Sequence, residues 1–79
     1  MHNKQDAISD AILKFLETSK EPLETKEIEQ YLKKVTRIKT IYRLNNLRGN
    51  GLIKGKFVGP GKGVWIWWHP NLFNKEAKK

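Results

Sequence analysis

The side chains best placed to do chemistry lie in one segment, residues 37–49, which has the apolar spacing of a helix. Ile41, Leu44 and Leu47 recur at three-residue intervals and are predicted to face a core. At about 100° per residue, the opposite face then carries these polar side chains: Lys39, Tyr42, Arg43 and Asn46. An ordinary exposed helix interleaves Glu with Lys, whereas this face has cations, an amide and a phenol but no carboxylate. The pattern therefore favours binding to an anionic surface. The plain alternative is the solvated polar face of any amphipathic helix.

The positive charge of the chain is concentrated in its second part. The 79 residues carry 16 Lys and Arg against 8 Asp and Glu, a formal net charge of +8. Residues 31–75 hold ten of these bases and no acid, whereas residues 1–30 hold seven acids and four bases. A surface that only needs solubility mixes both signs. The segment therefore predicts a polyanionic partner, most simply nucleic acid, with a chance run in a Lys-rich protein as the alternative.

Residues for catalysis are missing from the sequence pattern. There is no cysteine, and His2 and His69 have no third ligand near them in the sequence. The glycine-rich segment 59–63 contains Lys62 but joins two predicted strands, whereas a phosphate-binding loop opens a helix. We therefore expect no enzyme activity, metal, cofactor or small-molecule substrate.

The longest apolar run, Val64–Trp68, is too short to cross a bilayer. No signal-peptide pattern opens the chain. We therefore expect no membrane partner and a cytoplasmic, nucleoid-associated protein.

Three helices are predicted to come first. An apolar stripe recurs at helical spacing through Ile8, Ile12 and Leu16, and it ends before Pro22. The predicted helices span about residues 4–18 with Asn3 as N-cap, 26–33 with Thr25 as N-cap, and 37–49 with Thr36 as N-cap. Gly51 suits the left-handed residue that follows a helix. These helices and the strands after them predict one α+β domain over residues 1–70, followed by a tail, residues 71–79.

A β-hairpin is predicted after the third helix. Residues 52–58 and Val64–Trp68 are short runs rich in β-branched and aromatic side chains, and the segment between them holds three glycines. Strand alternation places Lys54 and Lys56 on one face, with Ile53 and Phe57 on the core side. Lys62 lies among small neighbours at the tip, where it is free to approach a phosphate or serves only solubility.

Residues 40–53, TIYRLNNLRGNGLI, resemble the third helix and first wing strand of winged helix-turn-helix DNA-binding domains, in which T-hydrophobic-Y-R-x-L-x-x-L-x-x-x-G-hydrophobic-I recurs. The resemblance extends over about residues 6–69. It implies three helices followed by a two-stranded wing, with the third helix in the major groove and the wing on the adjacent backbone. The Lys-, Glu- and Ile-rich composition without cysteine favours an archaeal type.

The predicted partner is double-stranded DNA. Arg pairs with guanine and Asn with adenine in the major groove. Thr36, Thr40 and the first backbone N–H groups of the third helix suit a phosphate, and Thr36 serves equally well as only a cap. The predicted DNA-binding residues are Arg37, Lys39, Thr40, Tyr42, Arg43, Asn46, Lys54, Lys56 and Lys62. Neutralising roughly six to eight phosphates predicts a log K versus log salt slope of about −5 to −7.

Two biological roles fit this prediction. One helix reads only a few base pairs, so useful specificity requires a homodimer on a palindromic site or repeated binding along the DNA. The first role is a small transcription regulator. The second is a chromatin-like protein of weak sequence selectivity.

The tryptophans leave alternatives open. Alternation places Trp65 and Trp67 on one strand face, and Val64, Ile66 and Trp68 on the other, so one set forms core and the other is exposed. The exposed set packs on Leu72 and Phe73 of the tail, forms a subunit interface, or stacks on unpaired bases. The rival function is a winged-helix protein-interaction module of a larger assembly that uses Trp65 and Trp67 as anchors.

Overall fold

The computed structural model describes residues 6–72. Its helices and strands, in chain order, are α1 (Ala7–Thr18), β1 (Leu23–Glu24), α2 (Thr25–Leu32), α3 (Arg37–Gly49), β2 (Lys54–Val58) and β3 (Val64–Trp68). Three helices and a closing hairpin confirm the predicted α+β class. The sequence did not predict β1 as a strand. Within the described range, no helix has the length and apolarity required to cross a lipid bilayer.

Helix α1 begins later than predicted. Asp6 is its N-cap, with extended backbone and a carboxylate that accepts the Ser9 backbone N–H at 2.9 Å. This bond satisfies one of the free donors of the first turn. A start at residue 4 is therefore wrong, and the proposed cap Asn3 lies outside the described residues. Ile12 and Leu16 form the buried stripe of α1.

Helix α2 is capped by Glu24 instead of Thr25. The Glu24 backbone N–H donates to Oε1 of Glu27 at 2.8 Å, the contact typical of a capping box. Thr25 accepts a hydrogen bond from a tryptophan of the sheet instead. After α2, Lys33 takes a positive φ of 61°, and the chain turns into α3. The predicted start, end and Thr36 cap of α3 are confirmed.

The sheet has three antiparallel strands in the order β1-β3-β2. β1 adds to the predicted hairpin by pairing Leu23 with Trp67, a long-range contact that local periodicity does not encode. Paired residues share a sheet face. The inner sheet face, which packs on the helices, carries Leu23, Gly55, Phe57, Trp65 and Trp67. The outer sheet face carries Lys54, Lys56, Val58, Val64, Ile66 and Trp68.

Trp67 is the largest side chain of the core and is 2% exposed. Its indole N–H donates to the Thr25 hydroxyl at 2.9 Å, so burial leaves that donor satisfied. A Cβ at Gly55 would lie 2.7 Å from the Trp67 ring, so only glycine lets β2 pass this close. The other buried apolar residues are Ile12, Leu16, Leu23, Ile28, Leu44, Leu47 and Ile53.

Beyond β3 the described chain makes a short turn. β3 ends at Trp68, two residues before Pro70, and the Leu72 backbone N–H donates to the His69 carbonyl at 2.9 Å. Leu72 and His69 face the end of α1, where they border a cleft with Ser19 and Lys20. The second predicted anchor of the tail, Phe73, lies outside the described residues.

Candidate nucleic-acid interface

The outward face of α3 is made of Ile38, Lys39, Tyr42, Asn45 and Asn46, and all five side chains are exposed. Ile38 is 80% exposed and Tyr42 is 62% exposed. Lys39, Tyr42 and Asn46 were predicted on this face. Ile38 and Asn45 were not predicted on it, although they share a helical stripe with Tyr42 at i, i+4 and i+7.

The buried side of α3 is rotated relative to the prediction. Thr40, Leu44 and Leu47 are buried, whereas Ile41 is only partly buried. Thr40 fits the core because its hydroxyl donates to the Thr36 carbonyl at 2.9 Å and needs no solvent. Because Thr40 takes the core position predicted for Ile41, the centre of the buried face lies about 30° around the helix axis from its predicted position. Thr40 is 0% exposed, so its predicted contact with DNA is wrong.

Arg43 points toward α1 instead of outward. Its Nε donates to Oδ2 of Asp6 at 3.0 Å, and its Nη2 donates to the same oxygen. The Arg43 side chain is 23% exposed, and its guanidinium lies 5.8 Å from the Tyr42 ring centroid. The ion pair joins the N-cap of α1 to the middle of α3. The prediction that Arg43 lies on the outward stripe is therefore wrong.

The Arg43 pair also changes the acidity of its partner. The hydrogen bond from Arg43, followed by that from the Ser9 backbone N–H, lowers the pKa of Asp6 from 3.8 to about 2. The Asp6 side chain is 45% exposed, so solvent screens much of this interaction. Asp6 thus stays charged to low pH and offsets the charge of Arg43.

The other two arginines of α3 have partners within the chain as well. Arg37 Nη1 donates to Oε2 of Glu29 at 2.6 Å, although the Arg37 side chain is still 63% exposed. The Arg48 guanidinium lies 5.2 Å from the Trp65 ring centroid, which is cation–π distance. Arg37 therefore stays accessible to a ligand at the start of α3, more so than Arg43.

The Thr36 side chain acts as a helix cap. Its hydroxyl oxygen accepts the Lys39 backbone N–H at 3.2 Å. Of the two functions predicted for Thr36, capping is the one that the geometry shows. The cap fixes the residue at which α3 begins. The start of the helix in turn sets the direction in which the Lys39 side chain, on the outward face, projects.

The lysines of the hairpin occupy two different places. Lys54 pairs with Trp68 and Lys56 with Ile66, which puts both lysines on the outer sheet face, away from the helices. Lys62 lies at the exposed tip, between Gly61, with φ 65°, and Gly63. Positive φ at Gly59 and Gly61 lets the tip turn tightly.

A groove of about 750 Å³ separates α3 from the end of the hairpin. Ile41 and Asn45 border it on the helix side, and Phe57, Val64 and Trp65 border it on the strand side. Asn45 of the outward face and the tip end of the hairpin therefore border one concave surface. The groove is also lined by Glu24, Thr25, Lys26, Arg37, Gly63 and Trp67.

The two groove tryptophans have partners within the chain. Trp67 is buried in the core, so its predicted availability as a protein anchor is wrong. Trp65 is partly buried, stacks on Trp67 with ring centroids 5.2 Å apart, and meets Phe57 edge-on at 6.0 Å. The more exposed apolar residues of this region are Phe57, at 52%, and Val64, at 41%.

No group of three or more His, Asp or Glu side chains suited to a metal ion is found among residues 6–72. Asp6 and Glu29 contact Arg43 and Arg37, respectively. Both carboxylates therefore pair with arginines of helix α3.

Three helices, a hairpin wing and a third strand between the first two helices define a winged-helix fold. The sequence matches no protein-family model and no curated protein. Among solved structures, the chain is similar to HOP2, a protein with DNA recognition and protein interaction domains and homologous DNA pairing properties. The two are 23% identical with a TM-score of 0.67, over 80% of this chain and 98% of that one.

A second similar structure is Bacillus subtilis PadR in complex with operator DNA. The TM-score is 0.72 at 16% identity, over 96% of this chain and 46% of the PadR chain. This chain therefore spans less than half the length of PadR. At these identities the likeness shows the shared winged-helix fold.

Proposed function

We propose that this chain binds double-stranded DNA, with α3 in the major groove and the hairpin tip on the adjacent backbone. The observation that carries the proposal is the exposed, carboxylate-free outward face of α3 beside the glycine-rich tip. A helix with its side chains is about 10–12 Å across and fits a major groove about 12 Å wide. Similarity to PadR, solved with operator DNA, and to HOP2, described for DNA recognition, supports the proposal.

The proposed contact surface differs from the residue set expected from the sequence. It keeps the members of that set that are exposed on α3 and at the hairpin tip, and it adds the two residues found on the outward face. The contact surface consists of Arg37, Ile38, Lys39, Tyr42, Asn45, Asn46 and Lys62. Thr40 and Arg43 are left out because one is buried and the other is paired with Asp6. Lys54 and Lys56 are left out because they lie on the outer sheet face.

Each part of the contact surface has a distinct task in the proposal. The exposed asparagines reach base edges, since an amide pairs with adenine N6 and N7. Arg37, Lys39 and Lys62 contact phosphates, which position the helix and give affinity without sequence preference. Tyr42 contributes its phenol to the sugar-phosphate backbone at the groove edge.

The experiment is a salt series of duplex binding by fluorescence anisotropy, with random and selected sequences. Binding that weakens linearly in log salt supports the proposal. Undetectable binding at low salt contradicts it. A selected sequence bound at least about a thousandfold more tightly than random DNA favours a transcription regulator, and a small ratio favours a chromatin-like protein. Light scattering of the complex on a palindrome tests the proposed homodimer.

A second candidate function is a protein-interaction module, and one observation favours it. Phe57 and Val64 on the hairpin are exposed apolar side chains that line the groove, and Ile38 and Tyr42 are exposed apolar side chains on α3. Exposed apolar patches mark protein contacts. The tryptophan anchors first expected for this function are largely covered, so the rival rests on these four residues alone. Absence of duplex binding in the salt series, together with a stable fold, would favour it.

A further inference from the structure

Four of the five side chains on the outward face of α3 are uncharged: an isoleucine, a tyrosine and two asparagines. Ile38, the most exposed large apolar residue described, lies one helical turn from Tyr42. Asn45 continues the same stripe, and Asn46 lies beside it. A single exposed apolar side chain is ordinary, but Ile38 and Tyr42 together form an apolar strip in the middle of the proposed contact surface.

Each of the three arginines of α3, the side chains that best recognise guanine, has a partner within the chain. Guanine offers O6 and N7 to the fork of an arginine. Arg43 is bound to Asp6, Arg37 to Glu29, and the Arg48 guanidinium covers Trp65. Helix α3 is described in full, and Lys39 is the only cation among its five outward residues. The base-reading part of this face is therefore poor in guanine-binding groups.

We infer that the outward face reads A·T base pairs, with Ile38 against the C5 methyl group of thymine and an exposed asparagine on adenine. In the major groove, thymine presents this methyl group beside O4, and adenine presents N7 and the N6 amino group. An aliphatic side chain contacts the methyl group and an amide pairs with adenine, whereas a G·C pair offers no methyl group. The inference rests on the proposed function, because it assigns the bases that the same face contacts.

The test compares a short A·T-rich duplex with the same duplex in which uracil replaces thymine. This replacement removes the C5 methyl group and leaves the hydrogen-bonding edge intact. Burying one such carbon is worth about 0.8 kcal/mol, which corresponds to roughly fourfold in affinity. We expect the wild-type chain to bind the uracil duplex roughly fourfold more weakly for each methyl group contacted, as measured by fluorescence anisotropy.

The variant Ile38→Ala identifies the side chain responsible. Because Ile38 is 80% exposed, the variant is expected to keep the wild-type unfolding midpoint. It binds the thymine and uracil duplexes with equal affinity, since the methyl group has lost its partner. Val64→Ala is the matched control, as it shortens another exposed apolar side chain, 41% exposed, on the hairpin. This control keeps the wild-type ratio between the two duplexes.

The outcomes separate the inference from the proposed function. Equal affinity of the wild-type chain for both duplexes overturns the inference and leaves DNA binding standing. A thymine preference that persists in Ile38→Ala also overturns it, because another residue then contacts the methyl group. Undetectable binding to either duplex at low salt overturns both and favours the protein-interaction function instead.

Discussion

Replacing Lys39 and Lys62 together by glutamine removes two charges from the proposed contact surface. Both side chains are exposed, one on the outward face of α3 and one at the hairpin tip. Neither residue has a described ion pair. The substitution is therefore expected to leave the fold intact and to act on DNA binding alone.

The magnitude follows from counterion release. Each phosphate contact contributes about 0.9 to the slope of log K against log salt, so losing two makes the slope shallower by about 1.8. Over the tenfold range from about 1 M to about 0.1 M salt, that difference amounts to roughly 60-fold in affinity. The variant is expected to bind a random duplex roughly 60-fold more weakly at the lower salt concentration and equally at the higher.

The matched control replaces Lys54 and Lys56 by glutamine. Net charge changes equally, but these two lysines lie on the outer sheet face. Their charges then affect DNA binding only through long-range attraction, which salt screens because the Debye length is about 10 Å at 0.1 M salt. We expect a loss of less than about threefold and an unchanged slope. Equal losses in the two double variants would refute the assignment of the contact surface and leave only net charge as the cause.

Three further predictions concern the fold that positions this surface. Trp67→Ala removes the largest core side chain and is expected to lower the free energy of unfolding by about 3–5 kcal/mol, measured by urea denaturation; an unchanged midpoint would contradict its role in the core. Gly63→Ala places a Cβ 2.4 Å from the Val58 carbonyl oxygen and is expected to cost more than about 1 kcal/mol, whereas Gly49→Ala, with nothing within 4 Å, is neutral or stabilising. Asp6 has a lower pKa in the folded chain, about 2, than its ordinary 3.8, so the unfolded chain takes up the proton first as pH falls. Stability is therefore lost from about pH 4 down to about pH 2, by less than about 1 kcal/mol for this exposed pair, and Asp6→Asn removes that loss in an acid titration followed by circular dichroism.

The strongly periodic parts of the fold could be predicted from the sequence. Apolar spacing and the Thr36 cap fixed the bounds of α3, and residue types fixed β3. The shared face of Trp65 and Trp67 follows from strand alternation and is confirmed by their pairing. Strand β1 could not be predicted from the local sequence pattern, because it forms by pairing Leu23 with Trp67, which lies far along the chain.

The candidate site was predicted less well, because long-range contacts orient its side chains. The choice of Thr40 over Ile41 for the core depends on how α1 and α2 cover α3, and hydrophobicity alone favours Ile41. Arg43 is drawn inward by Asp6, 37 positions earlier in the sequence. A signal for Ile38 was present, since Ile38 and Tyr42 form an i, i+4 pair outside the apolar stripe of the helix, and a contiguous exposed apolar pair favours a contact.

The most direct test of the central claim is the footprint of a duplex on the isotopically labelled chain, followed by amide chemical shifts in an NMR titration. We expect the largest shifts in α3 from Arg37 to Asn46 and at the hairpin tip, residues 59–63. Amides of α1 and of Lys54 and Lys56 are expected to change little. Shifts concentrated on the outer sheet face or on α1 would contradict the proposed contact surface, and no shifts at low salt would contradict DNA binding itself.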